Sequence, residues 1–328
     1  MVKRALLLVL VAACGKFEDP AVVLDLRPIA MKADIPEQVV TVDLTKPLRP
    51  DQILVQLVDA NVSVLLSDRN FDRGIRWSAE LCNMTEDLRC DHETPYEELG
   101  SGVWPDPDTS PPPMITVPAD SNLLGILLEE LNDDTLHGLG GLTYGVSLRI
   151  GGEDADPSLD QYAAKALMVS PAIPAGRTPN QNPHIDHIDA TIGGDTGTTV
   201  VSIPVEQAPG RCGIDPPSLV MPAATKLRLE PIELPDTRET YTVPTIDGMT
   251  RTFTEAVTYQ WLDTGGKLSD ATTGGGHDTF GNLMPVHTTW TSPAAKDLDP
   301  SGDVQFWIIV RDERLGVTWY EACVQVVP

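Results

Sequence analysis

The chain states one structural pattern twice. Each half carries a tryptophan in the middle of a β-rich run, Arg76-Trp77-Ser78 in the first and Gln260-Trp261-Leu262 in the second. Each half also closes with two long apolar-alternating runs joined by a turn. In the first these are Leu142–Ile150 and Tyr162–Val169, ending at Pro171; in the second, Val304–Arg311 and Trp319–Val327, ending at Pro328. Tyr144, Val146, Leu148 and Ile150 fall in phase at period two, which turns one face of a strand to a core and the other away from it. A core tryptophan followed by a closing hairpin suits two packed antiparallel sheets. Its recurrence predicts a mainly β chain with two antiparallel β-sandwich domains in tandem.

The remaining pattern supports that division. Val22–Ile29, Val39–Asp43, Ile53–Val58 and Ile75–Leu81 read as strands of the first half. Ile185–Ile192, Thr199–Val205, Lys226–Glu230, Val257–Leu262 and Val286–Trp290 read as strands of the second. One short helix is inserted in the first domain, from Asn122 to about Asn132. Asp120 or Ser121 caps it, and Leu123, Ile126, Leu127 and Leu131 share a face. Gly100–Pro113 is too rich in Gly and Pro for regular structure and reads as a surface loop. Ala172–Asn182 marks the boundary, giving domains over 22–175 and 184–328 joined by a linker at 176–183.

The N-terminus carries an export signal. Lys3 and Arg4 precede an apolar run from Ala5 to Val11, and Ala12-Ala13 stands directly before Cys14. This is the order of a signal peptide over 1–13, too short for a membrane-spanning helix. Val11-Ala12-Ala13-Cys14 resembles the bacterial lipoprotein lipobox. That resemblance implies lipidation of Cys14 by diacylglycerol and a further acyl chain such as palmitate, with residues 14–21 as a tether. Gly15 is not the aspartate that retains such proteins at the inner membrane, so the resemblance implies a lipid-anchored protein of the outer membrane.

Charge and cysteine usage fit that address. A formal net charge of −25 repels nucleic acid and anionic headgroups, which excludes a nucleic-acid partner and a polybasic membrane patch. With Cys14 assigned to lipid, Cys82, Cys90, Cys212 and Cys323 remain, and an even number beyond an export signal reads as disulfides. The simplest of the three pairings joins the neighbours Cys82 and Cys90, leaving Cys212 with Cys323. Closing a loop of that length is worth roughly 4–5 kcal/mol as an upper figure. Zinc is the rival, but no Cys-x-x-Cys pair is present.

Val257-Thr-Tyr-Gln-Trp-Leu-Asp-Thr-Gly-Gly266, followed by Val304-Gln-Phe-Trp-Ile-Ile-Val-Arg-Asp312, resembles immunoglobulin-like domains of the polycystic-kidney-disease type. The resemblance covers about a fifth of the chain. It departs from that family at Leu262-Asp263-Thr264-Gly265, where Phe-Gly-Asp-Gly would stand. It implies that the two sandwiches are immunoglobulin-like. The chain is also similar to two-domain lipoproteins of myxobacteria through Val22–Ala30, Pro179-Asn-Gln-Asn-Pro183 and the Arg311-Asp312 strand end. Neither resemblance brings a catalytic motif.

Several constellations remain to be placed. The two Asp-Thr-Gly triplets, 195–197 and 263–265, are the signature of aspartic proteases, but their spacing is too short for two lobes and both read as turns. His184-Ile-Asp-His187 would chelate only on a helix; on a strand its imidazoles face apart. Asp297, Asp299 and Asp303 sit in Asp-Leu-Asp-Pro-Ser-Gly-Asp, the opening of a calcium loop, although Ile308 occupies the place of the closing glutamate. They are the candidate ligands of a structural Ca2+, against the alternative of ordinary acidic turns like Asp154-Ala-Asp156. Trp104, beside Asp106 and Asp108, is the candidate ligand-stacking residue, against the alternative of a lid on its own domain. Hydrolase elbows, Walker loops and zincin helices are missing from the chain. The expected function is non-enzymatic: binding or scaffolding of a protein or glycan partner at the cell envelope. The rivals are an envelope hydrolase or enzyme accessory, marked by perturbed carboxylates in a pocket between the domains, and a calcium-stiffened adhesin.

Overall fold

The computed structural model describes residues 19–43, 50–67, 73–105, 112–205, 212–213, 215–245, 249–277 and 279–328. Cys14, Asp106 and Asp108 lie outside the described residues. The first half comprises β1 (Arg27–Ala33), β2 (Glu37–Val40), α1 (Pro50–Leu54), β3 (Ala60–Ser67), β4 (Ile75–Cys82), β5 (Tyr96–Trp104), β6 (Ile115–Val117), α2 (Ser121–Asp133), β7 (Leu142–Gly152) and β8 (Gln161–Pro171). The second comprises β9 (Ile185–Ile192), β10 (Thr199–Pro204), β11 (Leu219–Pro222), β12 (Lys226–Glu233), β13 (Thr240–Pro244), β14 (Thr250–Thr254), β15 (Val257–Asp263) and β16 (Lys267–Leu268). It ends with β17 (Thr272–Gly275), β18 (Thr288–Thr291), β19 (Asp303–Asp312) and β20 (Val317–Val327).

The repetition in sequence is a repetition in topology. In the first unit a sheet ordered β1-β3-β6 faces one ordered β2-β8-β7-β4-β5. In the second, β10-β9-β12-β18-β16 faces β11-β20-β19-β15-β17. The second sheet of each unit corresponds strand for strand, down to a parallel pairing of β2 on β8 and of β11 on β20 among otherwise antiparallel ladders, whereas the facing sheet has three strands in the first unit and five in the second. Trp77 and Trp261 sit on the corresponding strands β4 and β15. The mainly β, tandem-sandwich expectation therefore holds.

The two tryptophans nevertheless pack differently. Trp261 is fully buried and donates its indole N–H to Thr273 Oγ1 at 2.8 Å. Trp77 is half-buried, expected in the core but lying against it, with its ring over β5. The ring lies beside Gly100 and Gly102, where a Cβ would make ordinary contact with it at 3.4 and 3.5 Å, and Gly100 also takes a φ of +143° that favours glycine. Gly-Ser-Gly-Val-Trp is the end of β5 and not a loop.

Two further expectations change. The strand expected at Val22–Ile29 begins only at Arg27, and Ala21 and Val23 are buried in the second unit's core. The run Ile53–Val58 is no strand: Pro50 and Asp51 suit a helix start, and α1 ends in a turn that leaves Val55 and Val58 exposed. The helix α2 forms as expected, with Asp120 as cap, its carboxylate accepting the N–H groups of Asn122 and Leu123 at 2.8 and 3.2 Å. Leu123, Ile126 and Leu127 are its buried face.

Phe306-Trp-Ile-Ile-Val310 in β19 is a continuous apolar run, and every one of its residues is buried. Phe306 packs edge-on against Trp290 inside the sandwich, at 4.8 Å between ring centroids, so Trp307 points to the outer face of the same sheet. That face is covered by the first half, since Ile29, Ala30 and Leu65 belong to the same apolar cluster. Both faces of β19 are buried because the two units pack together.

Both disulfides form as paired above. Cys82 and Cys90 stand 5.6 Å apart between Cα atoms, and Cys212 and Cys323 5.0 Å. Cys323→Ser is expected to expose one free thiol, at Cys212, and to lower stability by about 2–5 kcal/mol. Thiol titration with peptide mapping checks the first effect and urea unfolding the second.

Candidate functional site at the junction of the two units

The polar centre of the molecule is Glu37, at the first position of β2 and 1% exposed. Its carboxylate accepts from Arg177 of the connecting segment, from Arg314 of the β19–β20 turn, and from the Asn180 N–H at 2.8 Å. Burial alone would push this carboxyl up. The Ser170 hydroxyl, the Arg177 and Arg314 charges and the Asn180 N–H outweigh it and hold Glu37 below the ordinary carboxylate range.

Around this centre the units are stitched together. Asn180 donates from Nδ2 to the Asp312 carboxylate at 3.1 Å and to the Arg314 carbonyl at 2.8 Å. Asn182 donates to the Ala33 carbonyl at 2.8 Å and accepts from the Val317 N–H at 2.9 Å. Lys165 on β8, 4% exposed, donates to the Leu315 carbonyl, and burial lowers its amine to about 8 against the opposing pull of Asp312. Arg314 also reaches Glu255 at 3.3 Å and Glu239 at 3.6 Å, with its guanidinium 4.7 Å over the Tyr241 ring. Glu255 is 2% exposed, and burial, with Asp312 and Glu239 adding to it, pushes its carboxyl up to about 7 despite the Glu239 N–H and Arg314.

Above the network lies a cleft of about 290 Å³ between the connecting segment and the β13–β14 hairpin. It is lined by Arg177, Thr178, Thr240, Tyr241, Thr242, Thr250 and Arg314 with the backbone of Pro174–Gly176. The carboxylates of the junction lie behind the guanidinium groups: among the described residues no Asp or Glu lines this cleft. Tyr241 donates to Glu313 at 2.7 Å, and its hydroxyl is pushed up to about 12, chiefly by burial. The cleft therefore offers guanidinium, phenol and threonine groups, with the exposed Glu313 carboxylate bonded to its Tyr241. A larger open groove of about 750 Å³ runs along the β16–β18 side of the second unit, where Asp195, Lys226, Lys267 and Asp270 are all exposed.

The residues singled out from sequence fall elsewhere. Trp104, expected in a loop, is the last residue of β5 and 6% exposed in the first core. Its ring is not offered to a ligand, because the strand's alternation turns it inward. Asp297, Asp299 and Asp303 are not drawn together: Asp299 accepts from Ser301 at 3.1 and 3.2 Å within its own turn. Among the described residues no group of three or more His, Cys, Asp or Glu converges on a metal position. His187 sits between Asp186 and Asp189, at 2.7 and 3.2 Å, without His184. Asp195 is exposed in a short turn beside Arg228, whereas Asp263, the other triplet's aspartate, is buried.

No family model matches the chain, and no curated protein matches it. Among solved structures, it is similar to the Bacteroides ovatus mixed-linkage glucan utilization locus protein SGBP-B, in complex with a mixed-linkage heptasaccharide. The identity is 10% over 82% of this chain, with a TM-score of 0.17. This chain covers 64% of that one, so it spans less than two thirds of its length. A second structure, described as BspA_C_WT, is 8% identical over 90% of this chain and 99% of its own, with a TM-score of 0.18. At such scores the functional reading rests on the chain's own geometry.

Glu37→Gln removes the buried charge that two half-buried guanidinium groups share and is expected to cost about 3–5 kcal/mol, read by urea unfolding. Glu255 sets a pH dependence. Its folded carboxyl stands above its unfolded value, so its contribution is fully present below about pH 4.5 and is lost as pH rises through about 7. Glu255→Gln is expected to flatten the fall in stability over that range, measured by thermal unfolding across pH.

Proposed function

We propose that this is a lipid-anchored, non-enzymatic binding protein of the bacterial outer membrane that presents two immunoglobulin-like modules as one rigid unit. The ligand belongs in the junction cleft and is hydroxyl-rich, of the kind a short envelope glycan supplies. The observation that carries this reading is the cleft lining. Threonines, Tyr241 and two guanidinium groups line a space of about 290 Å³, while Glu37 is committed to the clamp beneath and Glu313 is held by the Tyr241 hydroxyl at the rim. Recognition of sugar hydroxyls needs fixed donors and acceptors, and the clamp fixes them. Anchoring through Cys14 would make each encounter effectively intramolecular at the envelope, which compensates for a small site.

One observation favours the hydrolase reading. Glu255, raised to about 7, has the poise of a proton donor at neutral pH. Its position behind Arg314 and not in the cleft weighs against it. The mature protein, titrated calorimetrically with fragments of its own envelope glycans, is expected to bind without cleaving them, and Thr242→Val with Thr240→Val to weaken binding by about tenfold. Unchanged affinity in the double variant would place the ligand elsewhere. Fragment cleavage lost in Glu255→Gln would replace binding with hydrolysis.

A further inference from the structure

Asp263, the last residue of β15, is 1% exposed. Its Oδ1 accepts the Gly265 N–H at 2.9 Å, and its Oδ2 has no hydrogen-bond partner among the described residues. Alongside it, in a parallel bridge at Val22, lies the start of the described chain. The Asp263 N–H donates to the Ala21 carbonyl at 3.0 Å, the Val23 N–H donates to the Asp263 carbonyl at 2.7 Å, and Ala21 and Val23 are each 2% exposed.

The electrostatic surroundings offer this carboxyl nothing. The N-terminal segment brings Asp19, a like charge; the turn of Asp263 itself brings the Gly265 N–H; and β19 brings its register partner Phe306 and the neutral Gln305. Burial first, then Asp19, push the carboxyl up to about 7 against the single N–H. A buried carboxylate with an unpaired oxygen must find water or a proton. The neighbour most readily removed is the terminal segment, held by two backbone hydrogen bonds to Asp263, by the Arg27 guanidinium on the Pro20 carbonyl at 2.7 Å, and by two small buried side chains.

We propose that Asp19–Asp25 is a latch, docked on the second unit while the Asp263 side chain is protonated and released when it ionises. Leu26, buried in the first core, and Arg27 at the start of β1 mark where the released stretch ends. The sign follows from linkage. Docking raises the acid's pKa, so docking strength is full below the ordinary value of 3.8, falls as pH rises, and levels off above about 7. On the reading that Cys14 carries the anchor, release would lengthen the tether by roughly 20 Å. The latch itself does not depend on that reading.

Amide hydrogen exchange of the Val23 N–H in the full mature protein, corrected for intrinsic rate, tests it. Protection is expected to fall on the order of tenfold from about pH 5.5 to about pH 7.5. In Asp263→Asn it is expected to stay at its low-pH level throughout. In Val23→Asp it should be lost at both pH values, which calibrates the released state. Constant protection in the unaltered protein, or the same fall in Asp263→Asn, would overturn the proposal. If Asp263→Asn does not fold, Asp19→Asn serves: the exposed like charge is gone, so protection at about pH 7.5 must rise, and no rise would also sink the latch.

Discussion

Glu37 is the point on which the architecture turns. A carboxylate 1% exposed is tolerable only if its charge is met, and it is met by one guanidinium from the connecting segment and one from the far end of the second unit. The same Arg314 then reaches Glu255 and Glu239 and lies over Tyr241, so a single cation ties together β2, the connecting segment, the β13–β14 hairpin and the β19–β20 turn. Two sandwiches joined only through a linker would be free to reorient. Here polar contacts fix their orientation and apolar contacts from Ile29, Ala30 and Leu65 bury the outer face of β19.

This arrangement explains a tension in the composition. Cations are scarce in a chain with 23 Lys and Arg against 48 Asp and Glu, and Arg177, Arg314 and Lys165 are spent inside the junction. Internal placement has a consequence for chemistry. Carboxylates held by guanidinium groups are orienting groups and counter-charges, and the cleft above them is left with hydroxyl and N–H donors.

The sandwich frame was legible because it rests on local periodicity. Tyr144, Val146, Leu148 and Ile150 in phase, the paired tryptophans and the closing hairpins all report on neighbours a few residues away. The disulfide pairing was legible for a similar reason, since proximity of Cys82 and Cys90 leaves one other pair. The junction was not. Glu37 and Arg314 are 277 residues apart, and neither stands in a motif. Asn180 and Asn182 were visible only as a turn-like Pro-Asn-Gln-Asn-Pro, though their spacing lets one reach the β19–β20 turn while the other bridges β1 to β20. Trp104 falls in a stretch whose glycines suggest a loop, whereas Gly100 and Gly102 lie within β5 beside the Trp77 ring.

The continuous run in β19 carried more than its reading as a strand. A half-exposed strand alternates, so Phe306-Trp-Ile-Ile-Val310 already required a second apolar layer outside the sandwich. The first unit supplies most of that layer, and Ala21 and Val23 from the N-terminal segment complete it beside Asp263. The cover is therefore composite: one part is held by a folded domain, the other by a few residues over an ionisable side chain. Of the two parts, the segment before β1 is the more lightly held, while the Glu37 clamp joins the two sandwiches.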